Sequence, residues 1–188
     1  GGVTISHLRF GKSPIKSTYF VNKANFVACH NPSYIDKYNM VQDVIPGGSF
    51  LLNCQWTVDE LDEKLPAPVK AYIAKNNINF YIINAIKVAK EIGLGNKTNT
   101  VLQSAFFSIA NIISADQAID YMKKAAYKSF AKKGDDIVNM NYAAIERGAG
   151  EVVKVDVPAS WANCEGGLPN VKALSERKDL ESFINNIQ

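Results

Sequence analysis

Apolar and polar residues alternate from Val3 to Phe10, and Ile15 to Val21 is rich in β-branched and aromatic residues. Gly11-Lys12-Ser13-Pro14 supplies turn chemistry between them, so the pattern predicts a β-hairpin. Short apolar runs at Asn25 to Cys29, Ser49 to Cys54 and Asn79 to Ile83 predict buried strands. Between them, Pro32 near the first turn opens a short helix over Ser33 to Tyr38. Thr57-Val58-Asp59-Glu60 has capping-box spacing ahead of helical Leu61 to Leu65 and Val69 to Lys75. Ala85 to Leu94 reads as a helix that Gly93 and Gly95 end.

Beyond it the period becomes helical throughout: Thr98 to Ile113, Ser114 to Lys133 and Asp135 to Arg147. Ser114-Ala115-Asp116-Gln117 is a second capping box, with Ile119, Met122, Ala126 and Phe130 at helical spacing behind it. A strand over Val152 to Val157 ends at Pro158, and Ser175 to Ile187 reads as a polar terminal helix. Strands alternating with helices predict an α/β fold, a layered α/β/α domain with a mixed, partly parallel sheet and a helical C-terminal half. No boundary shows before about residue 148, so residues 1–148 form the domain and 149–188 a linker-like extension with a terminal helix.

Composition narrows the class. Of 188 residues, 47% are hydrophobic and 21% charged, which excludes disordered, collagenous and membrane chains. The net charge of +3 is too small for a nucleic-acid surface but leaves room for a small anionic ligand. Three scattered cysteines, with no CxxC pair, point to a reducing compartment, and no apolar run is long enough to span a membrane, so a cytoplasmic protein is expected. Gly1-Gly2 opens the chain without Met, which fits either a cloning remnant or a piece cut from something longer.

Few residues have the pattern of reactive chemistry. Cys29 and His30 are sequence neighbours, and neighbours in a strand face opposite ways, so they make a poor nucleophile and base; a buried structural thiol is the plainer reading. No clustered Cys, His or acidic ligands have metal-site spacing. The acids Asp59, Glu60, Asp62 and Glu63 suit a helix N-terminus, and Lys123, Lys124, Lys128, Lys132 and Lys133 suit a helix C-terminus, with Lys124, Lys128 and Lys132 forming a basic stripe. Gly93-Leu94-Gly95-Asn96-Lys97-Thr98-Asn99-Thr100 leaves one helix and opens another. Free N–H groups, hydroxyls and a cation at a helix start are the ingredients of a phosphate site, although C-cap glycines followed by a threonine N-cap explain the stretch as well. It is neither a dinucleotide fingerprint nor a Walker A loop. Asn139 and Asn141 interrupt an otherwise helical stretch, either as exposed residues or as ligand-facing amides.

Several ordered motifs carry a resemblance: Gly1-Gly2-Val3-Thr4-Ile5-Ser6-His7-Leu8-Arg9-Phe10-Gly11, Val21-Asn22-Lys23-Ala24, Leu51-Leu52-Asn53-Cys54, Gln103-Ser104-Ala105-Phe106-Phe107 and Asn139-Met140-Asn141-Tyr142-Ala143-Ala144, with Asn76 to Tyr81 in support. From Gly1 to about Trp161 the chain resembles the third domain of the single-chain pyruvate:ferredoxin (flavodoxin) oxidoreductases, similar to the gamma subunit of related 2-oxoacid oxidoreductases. The resemblance implies an enzyme that cleaves pyruvate with coenzyme A to acetyl-CoA and carbon dioxide and passes electrons through iron–sulfur clusters to ferredoxin or flavodoxin. It implies thiamine diphosphate and the clusters on other domains, the remaining domains of the polypeptide and a homodimer as partners, and no catalysis by this region alone. Three scattered cysteines agree, since a cluster takes four.

For this domain the resemblance implies a contact to coenzyme A. Lys97 stands where the family usually has Arg, keeping the charge without the bidentate fork. Asn139 falls on a family asparagine associated with that site and Asn141 lies close enough to be confused with it, while Ser6 and Asn99 are chosen for polarity and position. The family's glycine-rich strand–loop–helix before Gly1 is not in this sequence. A sheet edge or core face would then lie open, and self-association or marginal stability is expected. A chiefly structural domain between catalytic domains, and a free-standing gamma-like subunit, are the alternatives.

Overall fold

The computed structural model describes residues 4–11, 13–16 and 21–167. Their sheet has four strands in the order β1 (Ala24–Cys29), β2 (Val44–Asn53), β3 (Asn79–Ile83) and β4 (Val153–Lys154), the first three parallel and the last antiparallel. The sheet is thus mixed and mostly parallel, as the strand–helix alternation predicts. Both early crossovers step the same way along the sheet, so a common hand puts both on one face. The first holds the 3₁₀ turns Pro32–Tyr34 and Met40–Asp43; the second holds α1 (Leu61–Lys64) and α2 (Ala67–Lys75). The connection from β3 to β4 carries α3 (Ala85–Glu91), α4 (Asn99–Ala110), α5 (Ala115–Phe130) and α6 (Asp135–Gly150).

The two faces separate by the period of two. Phe50, Leu52, Phe80 and Ile82 point into a core closed by Ile35, Val41, Leu61, Val69 and Ile73, while Leu51 and Ile83 point into a second closed by Val88, Val101, Leu102 and Ala144. Three layers result, with α5 added outside α4 and α6 through Met122, Ala126 and Ile145. Past the end of α6, Val155 and Trp161 are buried in the first core, and the indole N–H of Trp161 donates to Asp62 at 2.8 Å.

Local devices follow the sequence closely in places. Ser114 caps α5 by accepting from Gln117 N at 3.3 Å, and Glu60 accepts from the backbone N–H and hydroxyl of Thr57 at 2.7 and 3.0 Å. β2 starts earlier than the apolar run implies, because Pro46-Gly47-Gly48 forms a bulge inside it: Ala24 faces Val44 but Phe26 faces Ser49. The strand expected over Val152 to Val157 is two residues long, and the helix expected over Ser33 to Tyr38 contracts to the 3₁₀ turn at Pro32–Tyr34.

Among the described residues the first arm of the expected hairpin is not a strand. Residues 4–11 and 13–16 contain no strand, with Ile5 and Leu8 each 72% exposed. A two-stranded hairpin needs a surface to bury its apolar side; here the segment meets the fold through Phe10, stacked on Phe106, which in turn meets the Phe26 edge at 4.9 Å, and through His7, whose Nδ1 accepts from Val21 N at 3.2 Å. Val3 and the part of the second arm over 17–20 lie outside the described residues, as does the helix expected over Ser175 to Ile187.

Candidate functional site

The loop before α4 is built by the end of α3. Gly93 takes φ +86° and Gly95 φ +62°, conformations that L side chains rarely adopt, and Leu94 N donates to Ala89 O at 2.8 Å, the reach-back of a Schellman close. This turns the chain so that Lys97 and Thr98 lead into α4. Thr98 holds the cap position, but its side chain makes no cap hydrogen bond, so the threonine cap suggested by the sequence is one of position only. The first-turn N–H groups of α4 are therefore left without a side-chain acceptor from Thr98. Lys97 and Asn99 are exposed there, and Lys97 makes no ion pair with any described residue.

α6 runs beside this loop. A Cβ built on Gly93 would lie 3.2 Å from the Met140 methyl, and Thr100 Oγ1 donates to Asn141 Oδ1 at 3.0 Å. At 100° per residue, Asn139 and Asn141 fall on opposite sides of α6. Asn141 is 3% exposed and committed at both ends of its amide, its Nδ2 donating to Ile137 O at 2.8 Å; Asn139 is exposed. Asn139 thus lies on the side of α6 opposite the Thr100–Asn141 contact with α4. Ser6 is exposed on the N-terminal segment.

The carboxyl ends of the parallel strands, where α/β folds commonly hold ligands, are stitched shut by asparagines instead. Asn53, 3% exposed at the end of β2, donates to His30 O and accepts from Ala85 N, both at 3.0 Å, so one amide joins the ends of β1, β2 and β3. Asn31 accepts from Ser33 N and Asn84 from Lys87 N, each starting the next helical turn. Reading the sequence missed this role. The signal was present, because Asn31 follows the first apolar run after one residue, Asn53 is the next-to-last residue of the second and Asn84 follows the third at once.

The thiols are structural. Cys29 is buried while His30 is exposed, as opposite strand faces require, and burial pushes the Cys29 thiol up to about 11. Burial also raises Cys54. Neither supplies a thiolate nucleophile. Among the described residues no group of three or more His, Cys, Asp or Glu side chains could hold a metal ion. The acids are engaged in the fold. Hydrogen bonds to Thr57 hold Glu60 low, and Lys70 followed by Trp161 hold Asp62 low. No helix among the described residues is long and apolar enough to cross a membrane.

A family model described as pyruvate ferredoxin/flavodoxin oxidoreductase matches residues 1–151. The chain belongs to that family. It is 52% identical over 163 residues to a pyruvate:ferredoxin oxidoreductase of Moorella thermoacetica, covering 87% of this chain and 14% of that protein. It is 47% identical over 187 residues to a pyruvate-flavodoxin oxidoreductase of Enterobacter agglomerans, covering 100% of this chain and 15% of that one. The chain therefore spans about one-seventh of the length of these oxidoreductase relatives. Its fold is similar to pyruvate oxidoreductase subunit PORC of Thermotoga maritima, with a TM-score of 0.57 at 17% identity over 71% of this chain and 66% of that one. At that identity the likeness speaks to the fold.

Proposed function

We propose that this region contributes a coenzyme A contact to an oxidoreductase that converts pyruvate and coenzyme A to acetyl-CoA and carbon dioxide, with two electrons passing to ferredoxin or flavodoxin. The observation that carries the reading is Lys97, an exposed, unpaired cation on the glycine-framed loop that opens α4. Coenzyme A is polyanionic, and an ammonium beside uncapped helix N–H groups complements phosphate oxygens. Asn139 presents an exposed amide on the side of α6 opposite Asn141, and Asn99 another on the first residue of α4. Asn141 acts as a positioning residue, holding Thr100 and with it the start of α4. Ser6 adds a hydroxyl from the N-terminal segment.

Thiamine diphosphate and the iron–sulfur clusters belong to other parts of the assembly, and this region alone turns over no pyruvate. Residues 1–148 form the working domain, with Val153–Lys154, Val155 and Trp161 packed onto it from the stretch that follows. Three free cysteines fit a cytoplasmic enzyme.

Calorimetry of coenzyme A on the intact oxidoreductase tests the site. Losing one charge-assisted contact costs about 1.5–3 kcal/mol, so Lys97→Ala weakens binding by roughly tenfold or more. Lys97→Arg retains it or tightens it through the fork. Unchanged affinity in Lys97→Ala removes the lysine from the site. Unchanged affinity in Asn139→Ala as well favours a second reading, a domain that packs between catalytic domains and at the dimer interface. The exposed apolar side chains Ile5, Leu8, Phe10 and Ile15 favour that reading.

A further inference from the structure

The groove between α4 and α5 shares Thr100 with the start of α4, but its floor is apolar and unlike a phosphate site. Met122, Ala126 and Ile145 form its floor, Phe107 and Phe130 its walls, and it encloses about 450 Å³. Small side chains keep it open: Ala118, Ala125 and Ser129 recur at helical spacing along the flank of α5 that faces it, where larger residues would fill the channel. From Ala118 to Phe130 the groove follows α5 for about 18 Å at 1.5 Å per residue. That is the length of roughly three helical turns, between two walls that are themselves helices with no free backbone to offer a strand.

No charged residue lines the groove itself, but a row of lysines runs along the Tyr121 side of α5. Lys124 and Lys128 follow at four-residue spacing on the same side of α5 as Tyr121, which is 60% exposed at the lip, and Lys132 comes four residues on, in the 3₁₀ turn Ala131–Lys133 that follows the helix. Asp120 pairs with Lys124, but Lys128 and Lys132 make no ion pair among the described residues. The α4 side offers uncharged Thr100 and Gln103. An apolar floor under a one-sided row of ammoniums is complementary to an amphipathic helix with an apolar stripe and carboxylates along one edge.

We propose that the α4–α5 groove seats such an acidic amphipathic helix, about three turns long, contributed by the rest of the oxidoreductase. The source follows from length, since this chain spans 14–15% of its relatives and most of their mass lies outside it. Zero-length carbodiimide cross-linking of the intact oxidoreductase, read by mass spectrometry, tests this. Lys128 and Lys132 join to Asp or Glu side chains of one segment outside this chain, spaced three or four residues apart. Ala125→Trp, which fills the groove from an exposed position, lowers the yield by about tenfold, the effect of overpacking a contact by more than 1 kcal/mol. Lys128→Glu abolishes its own cross-link and weakens that of Lys132, a check independent of any change in packing. Circular dichroism of the variant chains shows wild-type helix content. Cross-links to a second copy of this region, to a separate protein, to scattered carboxylates or to none overturn the proposal, as does a yield unmoved by Ala125→Trp in a folded variant.

Discussion

Gly148 tests the packing of α4 on α6 because two effects of opposite sign meet there. Replacing a helix glycine with alanine ordinarily gains up to about 1 kcal/mol in helix propensity. At Gly148, however, the added methyl would lie 2.4 Å from Val101 O, 2.9 Å from Ser104 Cβ and 3.0 Å from Val101 Cα. Two of these atoms are backbone, so no rotamer change relieves them, and Ser104 is already fixed by its hydrogen bond to Ile145 O. Overpacking of this kind costs about 1–3 kcal/mol, occasionally more, because the helices must part. The methyl therefore outweighs the propensity gain, and Gly148→Ala loses about 1–2 kcal/mol net. Gly150, two residues on in the same helix, has nothing within 4 Å of a built Cβ and isolates the propensity effect. Urea unfolding of both variants separates the two. With m near 2 kcal/mol/M, the Gly148→Ala midpoint falls by about 0.5–1 M while that of Gly150→Ala holds or rises. A Gly148→Ala midpoint equal to or above that of Gly150→Ala would refute the close approach of α4 and α6.

Other expected outcomes concern the strand ends, the acids and the thiols. Asn53→Ala leaves His30 O and Ala85 N without their partner in a buried place, for a loss of about 2–4 kcal/mol in urea unfolding; a loss below 1 kcal/mol means the strand ends are held otherwise. Asp62 is held below its ordinary value by Lys70 and then Trp161, so its ionised form stabilises the fold above pH 4, and that stabilisation disappears as pH falls through the lowered value. Asp62→Asn is accordingly less stable than wild type at pH 6, and the gap closes toward pH 3; a gap that widens on acidification contradicts the assigned direction. Of the three thiols, Cys164 reacts first with a disulfide reagent at pH 8, while buried Cys29 and Cys54 wait for denaturant. Three equal fast phases would show that the strand ends are open.

Legibility in the sequence tracked how local the cause was. The run Asn79–Ile83 is β3 to the residue, and the ends of α3 and the cap of α5 lie where glycine and serine put them, because turn chemistry and capping act over four or five residues. The first arm of the hairpin is not a strand because an alternating pattern states which side wants burial without stating what covers it, and Ile5 and Leu8 stay 72% exposed among the described residues. The sequence alone could not separate Asn139 from Asn141, since either fits a helix. The 3% exposure of Asn141 comes from α4, a helix forty residues away in the chain. The bulge at Pro46-Gly47-Gly48 was likewise hidden, because turn residues inside a strand look like its end.

The distribution of polar groups says what kind of part this domain is. In a doubly layered α/β fold the carboxyl ends of the strands are the usual place for reacting groups. Here Asn31, Asn53 and Asn84 occupy those ends, and each is consumed by backbone partners. Cys29 and Cys54, beside them, are buried and weakly acidic thiols. Elsewhere, among the described residues, Lys97 at the opening of α4, Lys128 on α5 and Lys132 just past it make no ion pair, and Ile5, Leu8 and Ile15 of the N-terminal segment are exposed. On the proposed reading these groups hold other molecules: the lysine at α4 fixes a substrate's remote phosphates, and the outward apolar surface docks against larger neighbours. In enzymes that join two substrates, that positioning lowers the barrier without touching the reacting atoms.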